Sequence, residues 1–329
     1  MTEGRTLNDD LRTRIGGRIP SLGLRSLIPF AGSLARNPLY GSAYYIAADS
    51  IVEGVALPFL LHLTLASAPS NPVYPGAMLI GRLRPGGGRE IVVDAVPFGS
   101  GDPGAVRLFV EKIDDAFLPR PSGMQSAVSV TAADPARDLP AAFEAFRLIR
   151  RHGGVNLASF SSFPGAPVAC AWAAIRAGWR HGYSLETQIL GLNSEISAEY
   201  STFRIDVTGA DTASIIGFVS KIQRVRRLPD IELVWRQPVP ATELAGKLQE
   251  LKTAGVSPQL VCLPDAVENV AELAPVVRAA GATLSFSAEG LTPESARTVG
   301  STAGRFRCRL ETPGASAEDI AALAAQLRA

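Results

Sequence analysis

Through residues 126–329, short segments that alternate apolar and polar side chains take turns with segments whose apolar residues recur every three or four positions. Successive residues of a strand point to opposite faces, whereas a helix brings positions three and four apart onto one face, so this reads as strand, then helix, repeated. Strands are predicted at 126–131, 155–160, 185–191, 203–208, 231–236, 259–263, 283–287 and 305–310. Leu244, Leu248 and Leu251 after the fifth strand, and Val267, Val270, Leu273 and Val277 after the sixth, have helical spacing. A last helix is predicted at 316–327, opened by the capping box Ser316-Ala317-Glu318-Asp319. Strands joined by crossover helices run parallel. Eight such units are the count of a TIM-barrel-like (β/α)8 domain, and an open doubly wound sheet is the rival arrangement.

Several of these strands depart from the continuous apolar runs expected in a parallel sheet covered on both faces. In Arg305-Phe306-Arg307-Cys308-Arg309-Leu310-Glu311 every second residue is ionisable, and Thr202-Phe203-Arg204-Ile205-Asp206-Val207-Thr208 and Thr283-Leu284-Ser285-Phe286-Ser287-Ala288-Glu289 alternate likewise. If helices cover Phe203, Ile205, Leu233, Trp235, Phe306 and Cys308, the polar faces line a wet or ion-paired lumen.

Upstream, the pattern changes. Residues 1–40 read as an arm that packs on the body or on a second subunit, making a homo-oligomer through this arm an expectation. Residues 41–125 form a strand-rich α+β cap: 77–83 and 90–96 flank Pro85-Gly86-Gly87-Gly88 as a hairpin, and a helix at 104–118 starts behind Asp102 and Pro103. The barrel-like domain then occupies 126–329.

Composition narrows the class of protein without naming a reaction. With 47% hydrophobic residues and a net charge of +1, the chain can build a sizeable core and offers no electrostatic case for nucleic acid or an anionic membrane. Residues 54–66 are the oiliest stretch but carry Pro58 and His62, and a bilayer span needs about 20 apolar residues, so they belong to a core or an interface. The polar N-terminus with Asp9 and Asp10 is unlike a signal peptide, and Cys170, Cys262 and Cys308 show no metal or redox spacing. Free thiols in a cytoplasmic protein are expected.

Exclusions come first in the chemistry. All four lysines, Lys112, Lys221, Lys247 and Lys252, fall in predicted helices, which argues against a Schiff-base site. His62, His152 and His181 are far apart, and no nucleophile-elbow, zinc-protease or P-loop motif is present. What remains is carboxylate, arginine and hydroxyl chemistry at the C-terminal strand ends, where barrel active sites sit. Asp206, Glu289 and Glu311 are the candidate acid–base residues, and Arg236, Arg309, Thr208 and Ser161 the candidate substrate contacts. Ser161 lies with Ser159 and Ser162 ahead of a predicted helix start, where hydroxyls and free amides suit an anion. Oxygen ligands from Asp206 and Glu289 would suit Mg²⁺ or Mn²⁺.

Arg204-Ile205-Asp206-Val207-Thr208-Gly209-Ala210 followed by Val234-Trp235-Arg236-Gln237-Pro238-Val239-Pro240 resembles two successive strand ends of the enolase superfamily. The resemblance implies a metal-binding acid on each strand. Asp206 matches, but Arg236 stands where the family has a glutamate, and the catalytic lysines have no counterpart. An arginine there would repel the cation, so the likeness reads as convergence within a β/α repeat.

Gly99-x-Gly101-x-x-Gly104 matches the dinucleotide fingerprint in form, but Asp102 and Pro103 would face the pyrophosphate, which favours a helix cap. The functional reading is an enzyme moving protons, as an isomerase, epimerase or lyase, on a small anionic molecule such as a sugar acid or hydroxy acid. The alternative is a non-catalytic ligand-binding or assembly protein whose interior charges only pair with one another.

Overall fold

A computed structural model describes residues 27–52, 54–66, 77–84, 87–98, 103–121, 128–132, 135–149, 153–157, 166–289, 291 and 293–312. Most of the N-terminal arm, Ser161 and its neighbouring serines, Gly99 to Asp102, and the final predicted helix lie outside them. The chain divides into two compact units, residues 1–184 and 185–329.

The first unit is built on an antiparallel sheet of β1 (Leu27–Pro29), β2 (Ala35–Arg36), β3 (Ala43–Val52), β4 (Val55–Leu65), β5 (Met78–Leu83) and β6 (Ile91–Pro97), with the path β1-β3-β4-β6-β5 and β2 also on β3. The oiliest stretch of the sequence is β4, the middle strand of that path. Strands β3 and β4 stay in register from Ala43↔Thr64 to Val52↔Val55, and Gly54 takes φ +81° in the tight turn. The two strands expected to form a hairpin pair antiparallel, with Leu83 opposite Ile91. Strand alternation sends Ile46, Leu61, Leu63, Val93 and Ala95 into one cluster. It sends Tyr45 the other way, onto Phe109 of α1 (Pro103–Lys112) in an edge-to-face contact with centroids 5.0 Å apart. The Tyr45 hydroxyl donates to the buried Asp114 carboxylate at 2.6 Å, and Arg180 pairs with the same carboxylate. The helix predicted over 104–118 therefore stops at Lys112. Asp114 turns inward and caps a single 3-10 turn, Asp115–Phe117. Parallel strands β7 (Val128–Ala132) and β8 (Gly153–Leu157) flank α2 (Pro135–Ile149), and α3 (Ala166–Ala177) follows.

In the second unit β9 (Tyr183–Ile189, from Leu185 on), β10 (Thr202–Asp206), β11 (Asp230–Val234), β12 (Leu260–Cys262), β13 (Thr283–Ser287) and β14 (Arg309–Glu311) lie side by side in chain order, all parallel. Helices α4 (Thr212–Val225), α5 (Ala241–Thr253), α6 (Val270–Ala279) and α7 (Pro293–Phe306) make the crossovers after β10, β11, β12 and β13. Phe203, Ile205, Ile231, Leu233, Trp235, Leu284 and Phe286 are buried, as are Ile215, Phe218, Leu244, Leu248, Leu273 and Val277 on the helices. The chain thus folds as an α/β protein, a parallel β/α array with an antiparallel sheet N-terminal to it.

The parallel sheet curls. Arg204 on β10 and Glu311 on β14 are separated by three strands, which in a flat sheet puts their backbones about 19 Å apart. Their side chains nevertheless form two hydrogen bonds, of 2.9 and 2.7 Å.

One predicted strand needs correction. Residues 305–307 are not strand: α7 runs to Phe306, Arg307 turns left-handed at φ 55°, and only Arg309–Glu311 is extended. Ala296, Val299, Ala303 and Phe306 are spaced at three and four, so a helical stripe overlaps the alternating one and wins up to Phe306. Strands β10 and β11 are also shorter than expected. Asp206 Oδ1 accepts from the Thr208 N–H at 3.0 Å, a local turn that ends β10 and leaves Thr208 in the loop.

Candidate functional site

The polar faces of the second unit converge on its inner surface. Parallel register sets Arg204 beside Gln188 and Glu232, and Ser285 beside Cys262 and Arg309. Curling then brings the two ends of this row together. Arg204 holds Glu311 with both terminal nitrogens and reaches Glu232 at 3.7 Å, Arg309 reaches Glu232 at 3.6 Å, and the Ser285 hydroxyl donates to Glu311 at 2.7 Å. Serine, two carboxylates and two guanidiniums form one continuous network. Val234, Leu260 and Cys262 form an apolar patch within the same unit.

Glu232, buried, and Glu311, partly buried, respond oppositely to this setting. Burial acts to raise Glu311, but the paired hydrogen bonds from Arg204 outweigh it and hold the carboxyl below its ordinary range. Glu232 is buried too, with Glu186 as a like-charged neighbour, and these effects push its carboxyl well above the usual range. Its arginines sit at 3.6 and 3.7 Å, too far for the strong charge-assisted bonds that Glu311 receives.

Nearer the strand ends, Arg236 Nε donates to Asp206 Oδ2 at 2.6 Å, and the Arg236 backbone N–H donates to Thr208 Oγ1 at 2.8 Å. Burial works to raise the Asp206 carboxyl, but the bonds from Thr208 and the Arg236 charge hold it below its ordinary range. Among the described residues Arg236 is engaged through Nε, with no partner at its terminal nitrogens, and the side chain is 56% exposed. By contrast, both terminal nitrogens of Arg204 bind Glu311, and its side chain is 16% exposed.

A cleft of about 680 Å³ has Arg204, Arg236 and Glu311 in its wall, with Asp206 and Thr208 behind Arg236 rather than in the lining. The loop after β12 adds Asp265, Glu268 and Asn269, and the end of β13 adds Ser287 and Glu289. Of the residues singled out in the sequence, Asp206, Thr208 and Arg236 form one hydrogen-bonded group. Glu311 and Arg309 both join the inner network through Arg204 and Glu232. Glu289 is exposed, its backbone N–H bonded to Ser287 Oγ.

Among the described residues no group of three or more His, Cys, Asp and Glu side chains could hold a metal ion, and both oxygens of Asp206 already accept hydrogen bonds. Among the described residues, Asp206 and Glu289 therefore do not by themselves make the Mg²⁺ or Mn²⁺ site expected from the oxygen-rich strand ends.

Sequence reasoning passed over Arg204 as a site residue, although the alternating pattern places it two positions before Asp206 on the same face. It also passed over Asp265, Glu268 and Asn269. Those three follow the short apolar strand Leu260–Cys262, whose residues carry no alternation to mark a lumen face.

No protein-family model matches the chain, and no curated protein matches it in sequence. Solved structures do resemble it. A fructuronate–tagaturonate epimerase from Cohnella laeviribosi, in a glycerol complex, superposes over 87% of this chain and 72% of its own with a TM-score of 0.56 at 12% identity. The carboxyl transferase domain of Rhizobium etli pyruvate carboxylase with 3-bromopyruvate has a TM-score of 0.40 at 14% identity, over 60% of this chain and 42% of that one. At such identities the first likeness establishes the fold, and the second is too slight to add to it. No helix among the described residues is long and apolar enough to cross a membrane, and all three cysteines are free.

Proposed function

We propose that this chain is a TIM-barrel-like enzyme that moves protons on a small polar anion, a sugar acid or hydroxy acid, in an isomerisation, epimerisation or elimination. The observation that carries this reading is the geometry of Arg236. It grips Asp206 through Nε alone and keeps its terminal fork for the cleft, the geometry that suits a carboxylate end-on. A bound carboxylate would neutralise the charge that depresses Asp206 and raise its basicity beside the carbon to be deprotonated. Glu289, across the cleft at the end of β13, is the proposed second acid–base group. Thr208 keeps Asp206 and Arg236 in register. The network around Arg204, Glu311, Glu232 and Arg309 supports the floor of the site and holds the sheet curled. That the epimerase of similar fold acts on sugar acids, by its name, agrees with this substrate class.

The second reading, a binding or assembly protein without catalysis, draws on the same inner network, since its charges are satisfied internally. Solvent exchange separates the two. Purified protein is first screened by thermal shift against sugar acids, hydroxy acids and sugar phosphates, because a ligand of the native state raises Tm. The ligands that stabilise it are then incubated with enzyme in D2O and followed by NMR. Deuterium entering the carbon next to the carboxylate, lost in Asp206→Asn, is the expected result. Stabilisation with no exchange for any ligand would support the binding protein, and a flat screen on folded protein would remove the cleft as a site.

A further inference from the structure

The net charge of +1 conceals a segregation of charge in the second unit. Strands β10 to β14 are parallel, so helices α4 to α7 all finish at one end of the array, where the strands begin. Their last turns carry Arg224, Lys252, Arg278 and Arg305, the usual complement to a helix dipole. Arg227 and Arg307 lie beyond the helix ends, where that complement does not call for them. All six cations are exposed, and none forms an ion pair among the described residues. Against them stand Glu199, Asp230 and Glu250, of which Asp230 is buried. The helices pack each on the next, and at about 10 Å per pair the cations spread over an arc of about 30 Å.

Backbone geometry singles out one residue at this end. Each of the four helix-to-strand connections contains one left-handed residue: Leu228 at φ 53°, Gly255 at 80°, Gly281 at 89° and Arg307 at 55°. Glycine adopts this conformation freely, whereas a residue with a Cβ adopts it against steric resistance. Gly255 and Gly281 make their connections without that strain. Leu228 gains no packing that would offset it: at 78% it is the most exposed large apolar side chain among the described residues, with Val225 close by in sequence at 46%. Strain kept at an exposed position points to a role outside the fold.

We propose that this end of the second unit docks on an anionic lipid surface, with Leu228 entering the headgroup layer and the surrounding arginines and Lys252 binding lipid phosphates. Exposed cations around a protruding aliphatic side chain are what an interfacial binding face requires. Their spread suits a plane of charge, whereas an acidic peptide would draw on cations gathered in one groove. A single-stranded nucleic acid would be held by exposed aromatic rings, and the aromatic residues here, Tyr200 and Phe306, are buried and half-buried. The face lies at the opposite strand ends from Arg236, so the inference does not rest on the reading of the cleft.

The test mixes the full chain with vesicles of phosphatidylcholine and phosphatidylglycerol, or of phosphatidylcholine alone, and measures bound protein by co-sedimentation. Binding is expected to the anionic vesicles only, and to fall with added salt. Arg224→Gln combined with Arg227→Gln should weaken it by roughly fivefold per cation removed. Leu228→Gly should weaken it about tenfold and leave Tm unchanged or higher, a split that a leucine with a packing role would not give. Arg236→Ala should bind vesicles as wild type does, whatever it does to carboxylate affinity. Protein that stays in solution beside anionic vesicles overturns the proposal, and so does a Leu228→Gly variant that binds fully or melts lower. Retention on heparin without vesicle binding would assign the face to a soluble polyanion and overturn the lipid reading.

Discussion

Arg204 and Glu311 stand on strands four places apart and still share two hydrogen bonds, so the pair acts as a clasp that is made only if the sheet is curled. Because both groups are largely removed from water, breaking one side costs more than removing the pair. Arg204→Ala strands Glu311 and weakens the hold on Glu232, and should destabilise the protein by about 3–5 kcal/mol. Arg204→Met combined with Glu311→Leu should recover most of that loss. Urea unfolding of Arg204→Met, Glu311→Leu and the double closes a cycle, and additive effects would show that the clasp does not exist in solution.

The pH dependence of stability should carry the mark of Glu232. Its carboxyl is pushed up to about 7 in the folded protein. A group raised in this way contributes fully below its unfolded pKa, and the contribution is lost as pH rises through the folded value. Wild type should therefore lose stability relative to Glu232→Gln between about pH 4.5 and 7, by at most about 3 kcal/mol. Glu311 and Asp206 act in the opposite sense, since both are depressed and their contributions fade as pH falls. Thermal melts of both proteins at steps between pH 4 and 8 would reveal this, and parallel curves would show that Glu232 does not titrate there.

At Arg236 charge alone should not be enough. Arg236→Lys keeps the positive charge but cannot hold Asp206 and still offer two parallel donors to a ligand. Affinity for a carboxylate ligand should fall by about ten- to a hundredfold, as for loss of one charge-assisted hydrogen bond. Calorimetric titration measures this directly. An unchanged Kd would place the carboxylate elsewhere.

In the first unit, Gly153 opens β8 against the ring of Phe146, and a Cβ there would lie 2.1 Å from ring carbon Cε1. Phe146 is itself fully buried and packed on Phe143. Gly153→Ala should cost about 1–3 kcal/mol through overpacking. Gly153→Ala combined with Phe146→Leu should regain part of it. Guanidinium unfolding reads both.

The period of hydrophobicity carried most of the β/α array because Phe203, Ile205 and Leu233 alternate with charges that could not face the helices. It misled at residues 305–307, where Phe306 satisfies a strand pattern and a helical stripe equally well, and only the fit of α7 decides between them. Asp206 and Arg236 were each legible as polar strand-end groups, an acid–base residue and a substrate contact, but not as partners of one another. The grip of Arg204 on Glu311 was not legible either, since it depends on how far the sheet curls, and no local pattern encodes that. Nor did sequence alone expose Asp114, whose partners Tyr45 and Arg180 lie 69 and 66 residues away.

The inner network also has an order in time. Glu311 lies 107 residues beyond Arg204, and β14 is a strand of only three residues that brings both Arg309 and Glu311. Chains emerge from the ribosome N-terminus first, at about 5–20 residues per second. Arg204 therefore waits several seconds in the nascent chain before Glu311, the carboxylate that takes both its terminal nitrogens, exists. Until residue 311 leaves the exit tunnel, the two hydrogen bonds that clasp β10 to β14 cannot form.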